Sequence, residues 1–157
     1  WATARHPLFV LELYRDGRAV VYSLIRGHRA ARFDGRHGSP IEQATQLWLK
    51  GQKAIGLFRR SIPARQRMVL AYEQLCQDPL AALQDIFKFI GAPRNSYEAL
   101  LGSETLHNIG GSPSRLDKSR REVRLDQAWR EHLTPEQLAV FERHAGSWNR
   151  RLGYGDQ

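Results

Sequence analysis

Arg15 is the first residue of this sequence whose type and position invite chemistry. It follows an apolar run at residues 8–14 (LFVLELY) and opens the polar turn Arg15-Asp16-Gly17, after which residues 18–26 (RAVVYSLIR) read as a short helix. A guanidinium at the carboxyl end of a strand is a fork matched to phosphate oxygens. The helix that follows is expected to point its N-terminal amides at the same space, adding partial positive charge. Ser23 lies eight residues on, on the helix face shared with Asp16 and Ala19, where its hydroxyl can donate to the same anion. These residues also admit a plainer account, in which Arg15 and Asp16 pair within the turn and Ser23 bonds back to a helix carbonyl. Taken alone, they favour it.

Two other places carry candidate groups. Tyr72 follows a second apolar run at residues 67–71 (RMVLA), where a buried Tyr in the core would need only one partner for its hydroxyl. Residues 115–124 (RLDKSRREVR) are strongly basic, a composition that is ordinarily a solvated loop. The six histidines form no helical pair at metal-ligand spacing, and Cys76 is the only cysteine, so neither a metal site nor an internal disulfide is expected. No GxxxxGK[ST] or GxGxxG segment is present, which argues against a nucleoside triphosphate or a dinucleotide.

The elements that must position these groups alternate between strand and helix. Residues 8–14 are nearly continuous apolar, the pattern of a strand buried on both faces. Residues 27–38, rich in Gly, Arg and His, read as a loop. Ser39-Pro40-Ile41-Glu42 is a helix start, and Ile41, Ala44, Trp48, Ile55 and Phe58 recur at helical spacing to about Arg60. Asp78-Pro79 caps a further helix, with Leu80, Leu83, Phe87 and Ile90 on one stripe and Gly91 at its end. Residues 95–125 are irregular and polar. Thr134-Pro135-Glu136-Gln137 opens the last helix, whose buried face is Leu138, Phe141, Ala145, Trp148 and Leu152. Trp48 and Trp148, on apolar stripes, read as core. The order predicts an α/β fold in which a parallel sheet is flanked by helices.

Composition sets the outer bounds. At 157 residues the chain fits one domain, residues 1–157, and apolar residues at 41% with charged residues at 25% are ordinary for a globular protein. No apolar run approaches the roughly 20 residues that span a bilayer. A soluble protein of cytoplasmic residence is expected. Lys and Arg number 24 against 16 Asp and Glu, giving a formal charge of +8, so the chain should attract polyanions. Charge alone leaves nucleic acid and a multiply phosphorylated nucleotide both open.

A resemblance narrows the choice. The segment Tyr14-Arg15-Asp16-Gly17-Arg18-Ala19-Val20-Val21-Tyr22-Ser23 resembles the 3′-phosphate motif of the sulfotransferase superfamily, in which an Arg ends a strand and a Ser eight positions on completes a phosphate cradle. Leu70-Ala71-Tyr72-Glu73-Gln74-Leu75, followed by Asp78-Pro79 and by Phe89-Ile90-Gly91-Ala92-Pro93, is similar to the family's Tyr-Glu-x-Leu segment and its capped helix. Trp129, Leu133-Thr134-Pro135-Glu136 and Leu152-Gly153-Tyr154 resemble its tail. Within the superfamily, Trp48 and Gly110-Gly111-Ser112-Pro113-Ser114-Arg115 look most like the tyrosylprotein-type and related bacterial enzymes.

What the resemblance implies is a P-loop-like sulfotransferase fold that lacks its N-terminal phosphosulfate loop, the domain being truncated ahead of Trp1. The donor would be 3′-phosphoadenosine 5′-phosphosulfate and the acceptor a hydroxyl-bearing molecule, with no metal. Arg15 and Ser23 would hold the 3′-phosphate and Tyr72 would approach the adenosine. Ser114, Arg115 and Arg124 would close over the phosphates or the transferring sulfuryl group. No catalytic base is legible, so the chain alone is expected to be inactive without a missing N-terminal part. The rival reading is a basic nucleotide- or nucleic-acid-binding module without chemistry of its own, separable by its salt dependence.

Overall fold

The computed structural model describes residues 8–27, 32–33, 38–93 and 124–155. The chain divides into two compact units interleaved in sequence, one of residues 1–13 and 68–125, the other of residues 14–67 and 126–157.

The first unit is built on a small parallel sheet. β1 (Val10–Tyr14) pairs with β2 (Arg67–Ala71), and α3 (Tyr72–Gln77) and α4 (Pro79–Ile90) follow β2 directly. α4 begins and ends as its sequence predicts. The Asp78 carboxylate accepts from the Ala81 amide at 2.9 Å, Pro79 occupies the first turn, and Gly91 takes the left-handed conformation at φ 70° that ends the helix. Phe89 of α4 meets Phe9 edge to face, with ring centroids 5.3 Å apart. The expectation that the first strand is buried on both faces is not met. Burial alternates along β1, with Leu11 and Leu13 exposed and their neighbours half-buried, and Val69 on β2 is exposed too. A continuous apolar run carries no mark of which face has a neighbour; among the described residues, only one face of this sheet is covered. The α4 stripe is likewise covered only in its middle, since Leu80 and Ile90 are exposed.

The second unit is helical. α1 (Gly17–Arg26), α2 (Pro40–Arg60), α5 (Trp129–His132) and α6 (Pro135–Arg151) surround one core, in which α2 packs against both α1 and α6. Ser39 caps α2 by accepting from the Glu42 amide. Thr134 and Gln137 form a reciprocal capping box at the start of α6, at 3.3 and 3.0 Å. The core is Ala19, Val21, Ala44, Trp48, Phe141 and Ala145 with their neighbours, and Trp48 lies against Phe141 at 5.7 Å between centroids. Burying the two aromatic rings removes a large apolar area from water, worth roughly 2–3 kcal/mol each. The apolar stripe of α2 is buried only at Ile41, Ala44 and Trp48; Ile55 and Phe58, nearer its end, are exposed. No helix among the described residues is long and apolar enough to cross a membrane.

Candidate functional site: the Arg15 turn and the start of α1

The turn between β1 and α1 is held by a buried polar clasp. Asp16 is the N-cap of α1: its Oδ1 accepts from the Arg18 amide at 2.9 Å. The same carboxylate accepts from Arg18 Nε at 3.0 Å and from Arg18 Nη2 at 2.7 Å, which pairs its charge inside the protein. Asn149, on α6, completes the arrangement. Its Oδ1 accepts from the Gly17 amide at 2.8 Å, and its Nδ2 donates to Asp16 Oδ1 at 3.2 Å. Asp16 and Asn149 are only 6% and 3% exposed. A carboxylate this deeply buried persists because every side of it is met by a donor. Arg18 is fixed in turn, with its guanidinium 4.3 Å from the centroid of the Trp129 ring and donating to the Gly155 carbonyl at 3.3 Å.

Glycine is required at position 17 for space. A Cβ there would lie 2.7 Å from Trp48 Cη2 and Cζ2 and 2.8 Å from Phe141 Cζ, closer than carbon atoms approach. The absence of a side chain lets the first turn of α1 sit directly on the aromatic core.

Arg15 is half-buried and pairs with Asp126, not with its neighbour Asp16. Its Nη2 donates to the Asp126 backbone carbonyl and lies 3.3 Å from Asp126 Oδ2, whose side chain is 55% exposed. Partial burial works to raise the Asp126 pKa. The Ala128 amide, the hydrogen bond from Arg15 and the charges of Arg15 and Arg26 outweigh it, holding the carboxyl below its usual range. Ser23 is exposed on α1, two turns along, and among the described residues its hydroxyl makes no hydrogen bond back to the helix. The expected amide contribution needs correction: the Gly17 and Arg18 amides are occupied by Asn149 and Asp16.

Tyr72 lies in the first unit, as the first residue of α3, half-buried. Its hydroxyl donates to the Arg124 carbonyl at 3.3 Å, and Cys76 Sγ approaches the same oxygen at 3.9 Å. Arg124 thus meets Tyr72 through its backbone. Ser114 and Arg115 fall outside the described residues. Trp48 is core, as its stripe predicts, and Trp148 is half-buried with the Arg151 guanidinium 5.7 Å from its ring. Among the described residues no group of His, Cys, Asp and Glu is arranged to hold a metal ion.

Asn149 and Asp126 are the residues that sequence reasoning passed over. Asn149 did leave a signal: it follows Phe141 by eight and Ala145 by four, so a polar amide sits on the buried stripe of α6, where it must find partners. Asp126 left none, because its partner is 111 residues away in the chain.

Comparison with known proteins gives the family and the fold. The family model described as a sulfotransferase domain matches residues 5–153. No curated protein matches the chain. A solved structure, the sulfotransferase domain from the curacin biosynthetic pathway, is similar with a TM-score of 0.67 and 21% identity, over 95% of this chain and 54% of that one. The chain thus spans about half the length of that domain.

Proposed function

The chain belongs to the sulfotransferase domain family, and we propose that it serves the transfer of a sulfuryl group from 3′-phosphoadenosine 5′-phosphosulfate to a hydroxyl acceptor. In this reading Arg15 and Ser23 bind the 3′-phosphate, and Tyr72 positions the adenosine. Arg124 is assigned to the phosphate side on the resemblance, together with Ser114 and Arg115. The donor, when bound, supplies the activated sulfuryl group; the residues of this chain supply its grip and its orientation.

The observation that carries the reading is the construction of the turn. Arg15 follows the carboxyl end of a strand in a parallel sheet, the edge at which such sheets bind ligands. The helix after it is anchored by the buried Asp16 and Asn149 and by the half-buried Arg18, while Arg15 pairs with the exposed Asp126 carboxylate. A guanidinium held this way is preorganised for a dianion, and a charge-assisted bond of this kind contributes roughly 1.5–3 kcal/mol, about tenfold or more in affinity. Spanning about half of the similar domain, the 157 residues act in this reading as a binding part and lack turnover by themselves.

Calorimetry tests the assignment. Adenosine 3′,5′-bisphosphate should bind at least about tenfold more tightly than adenosine 5′-phosphate, and Arg15→Ala should erase most of that preference. Equal affinities for the two nucleotides would falsify the role given to Arg15. Binding that ignores the 3′-phosphate and falls steeply with salt would favour a general polyanion-binding surface instead.

A further inference from the structure

The ion pair at Arg15 has an unequal pair of halves. The guanidinium is the sheltered member, with its side chain 21% exposed, whereas the Asp126 side chain is 55% exposed. Two separate groups of Asp126 hold the guanidinium, a backbone carbonyl and a carboxylate oxygen. The carbonyl is fixed by the chain and can keep Arg15 oriented. The carboxylate is the replaceable half, since an anion of similar geometry can take its place against the same fork. A second cation is near: Arg26 lies three residues beyond Ser23, adjacent to it on the helix surface, and its charge also acts on Asp126.

We propose that Asp126 is an internal counter-anion of the Arg15 site, whose carboxylate stands where an incoming phosphate must bind and so sets the affinity and selectivity for it. This rests on the 3′-phosphate reading above and adds a residue that competes with the ligand. Binding is then an exchange of anions on one guanidinium. The apparent affinity is reduced by the fraction of chains in which Asp126 holds Arg15.

Asp126→Asn is a narrow test. It removes the charge but preserves the backbone carbonyl and an acceptor for the Ala128 amide, which Asp126 Oδ1 meets at 3.1 Å. Because the pair is largely solvent-exposed on its acidic side, the gain is small: about two- to fivefold tighter binding of adenosine 3′,5′-bisphosphate. Adenosine 5′-phosphate should bind as before, and Glu131→Gln, which removes an exposed charge elsewhere, should change neither. In the Arg15→Ala background Asp126→Asn should give no gain. An Arg15-dependent preference for the bisphosphate that Asp126→Asn leaves unchanged, or weakens, would overturn the counter-anion while leaving the 3′-phosphate reading intact. Equal gains for both nucleotides, or the same gain from Glu131→Gln, would also overturn it, since these report net charge alone. No preference in either protein, or no binding of either nucleotide, would overturn both.

Discussion

Asn149→Leu replaces the amide of the clasp with an apolar group of similar volume, so its effect isolates hydrogen bonding from cavity formation. Two contacts are lost. The Gly17 amide, which reaches Asn149 Oδ1 at 2.8 Å, is left without its acceptor in a buried setting, at a cost of about 1–3 kcal/mol. The Asp16 carboxylate loses the donor at 3.2 Å but keeps Arg18 at 2.7 Å, so the second loss is the smaller, about 1 kcal/mol. The two together come to about 2–4 kcal/mol, which for a chain of this size lowers the melting temperature by roughly 4–16 °C. Thermal and urea unfolding measure the total. Amide hydrogen exchange adds a local readout, because the Gly17 amide should exchange faster in the variant than the core amides of α2. A variant within about 0.5 kcal/mol of the parent, with Gly17 still protected, would show that the amide does not hold the start of α1, and the account of how Arg15 is presented would fail.

Gly17→Ala should destabilise the chain by about 1–3 kcal/mol in urea, because the added methyl group drives into Trp48 and Phe141, neither of which has room to withdraw. A neutral result would mean that the first turn of α1 can shift away from the aromatic core. The 157-residue chain should show no measurable transfer of labelled sulfate from the donor to tyrosine peptides, sugars or phenols, since positioning and electrostatic stabilisation fail when the groups that fix the reacting atom are incomplete. Robust turnover by the bare chain would refute its assignment as a binding part and would make Ser114, Arg115 and Arg124 the first residues to replace.

Most of the local architecture was already legible in the sequence. Ser39, Asp78 and Thr134 each precede a proline and each caps the helix that follows, because a cap is an exchange between a side chain and amides two or three residues on. β2 occupies residues 67–71 as its apolar run predicts, and the strand–turn–helix spacing from Tyr14 to Ser23 carried the family resemblance. α3 was missed: its N-cap is Ala71, which has no side-chain acceptor, and six residues hold too little periodicity to register. The pairings that matter most to the site were beyond any local pattern. Arg15 could have met Asp16, one residue away, and the sequence favours that pairing. Arg18, two residues on in the same turn, takes Asp16 instead, the packing of α1 against α6 brings Asn149 to the same carboxylate, and Arg15 pairs with a carboxylate 111 residues distant. Side-chain spacing prescribes what can meet within a few residues. Which charge pairs with which across more than a hundred residues is decided by tertiary packing, in which the bare Gly17 lets α1 sit directly on Trp48 and Phe141.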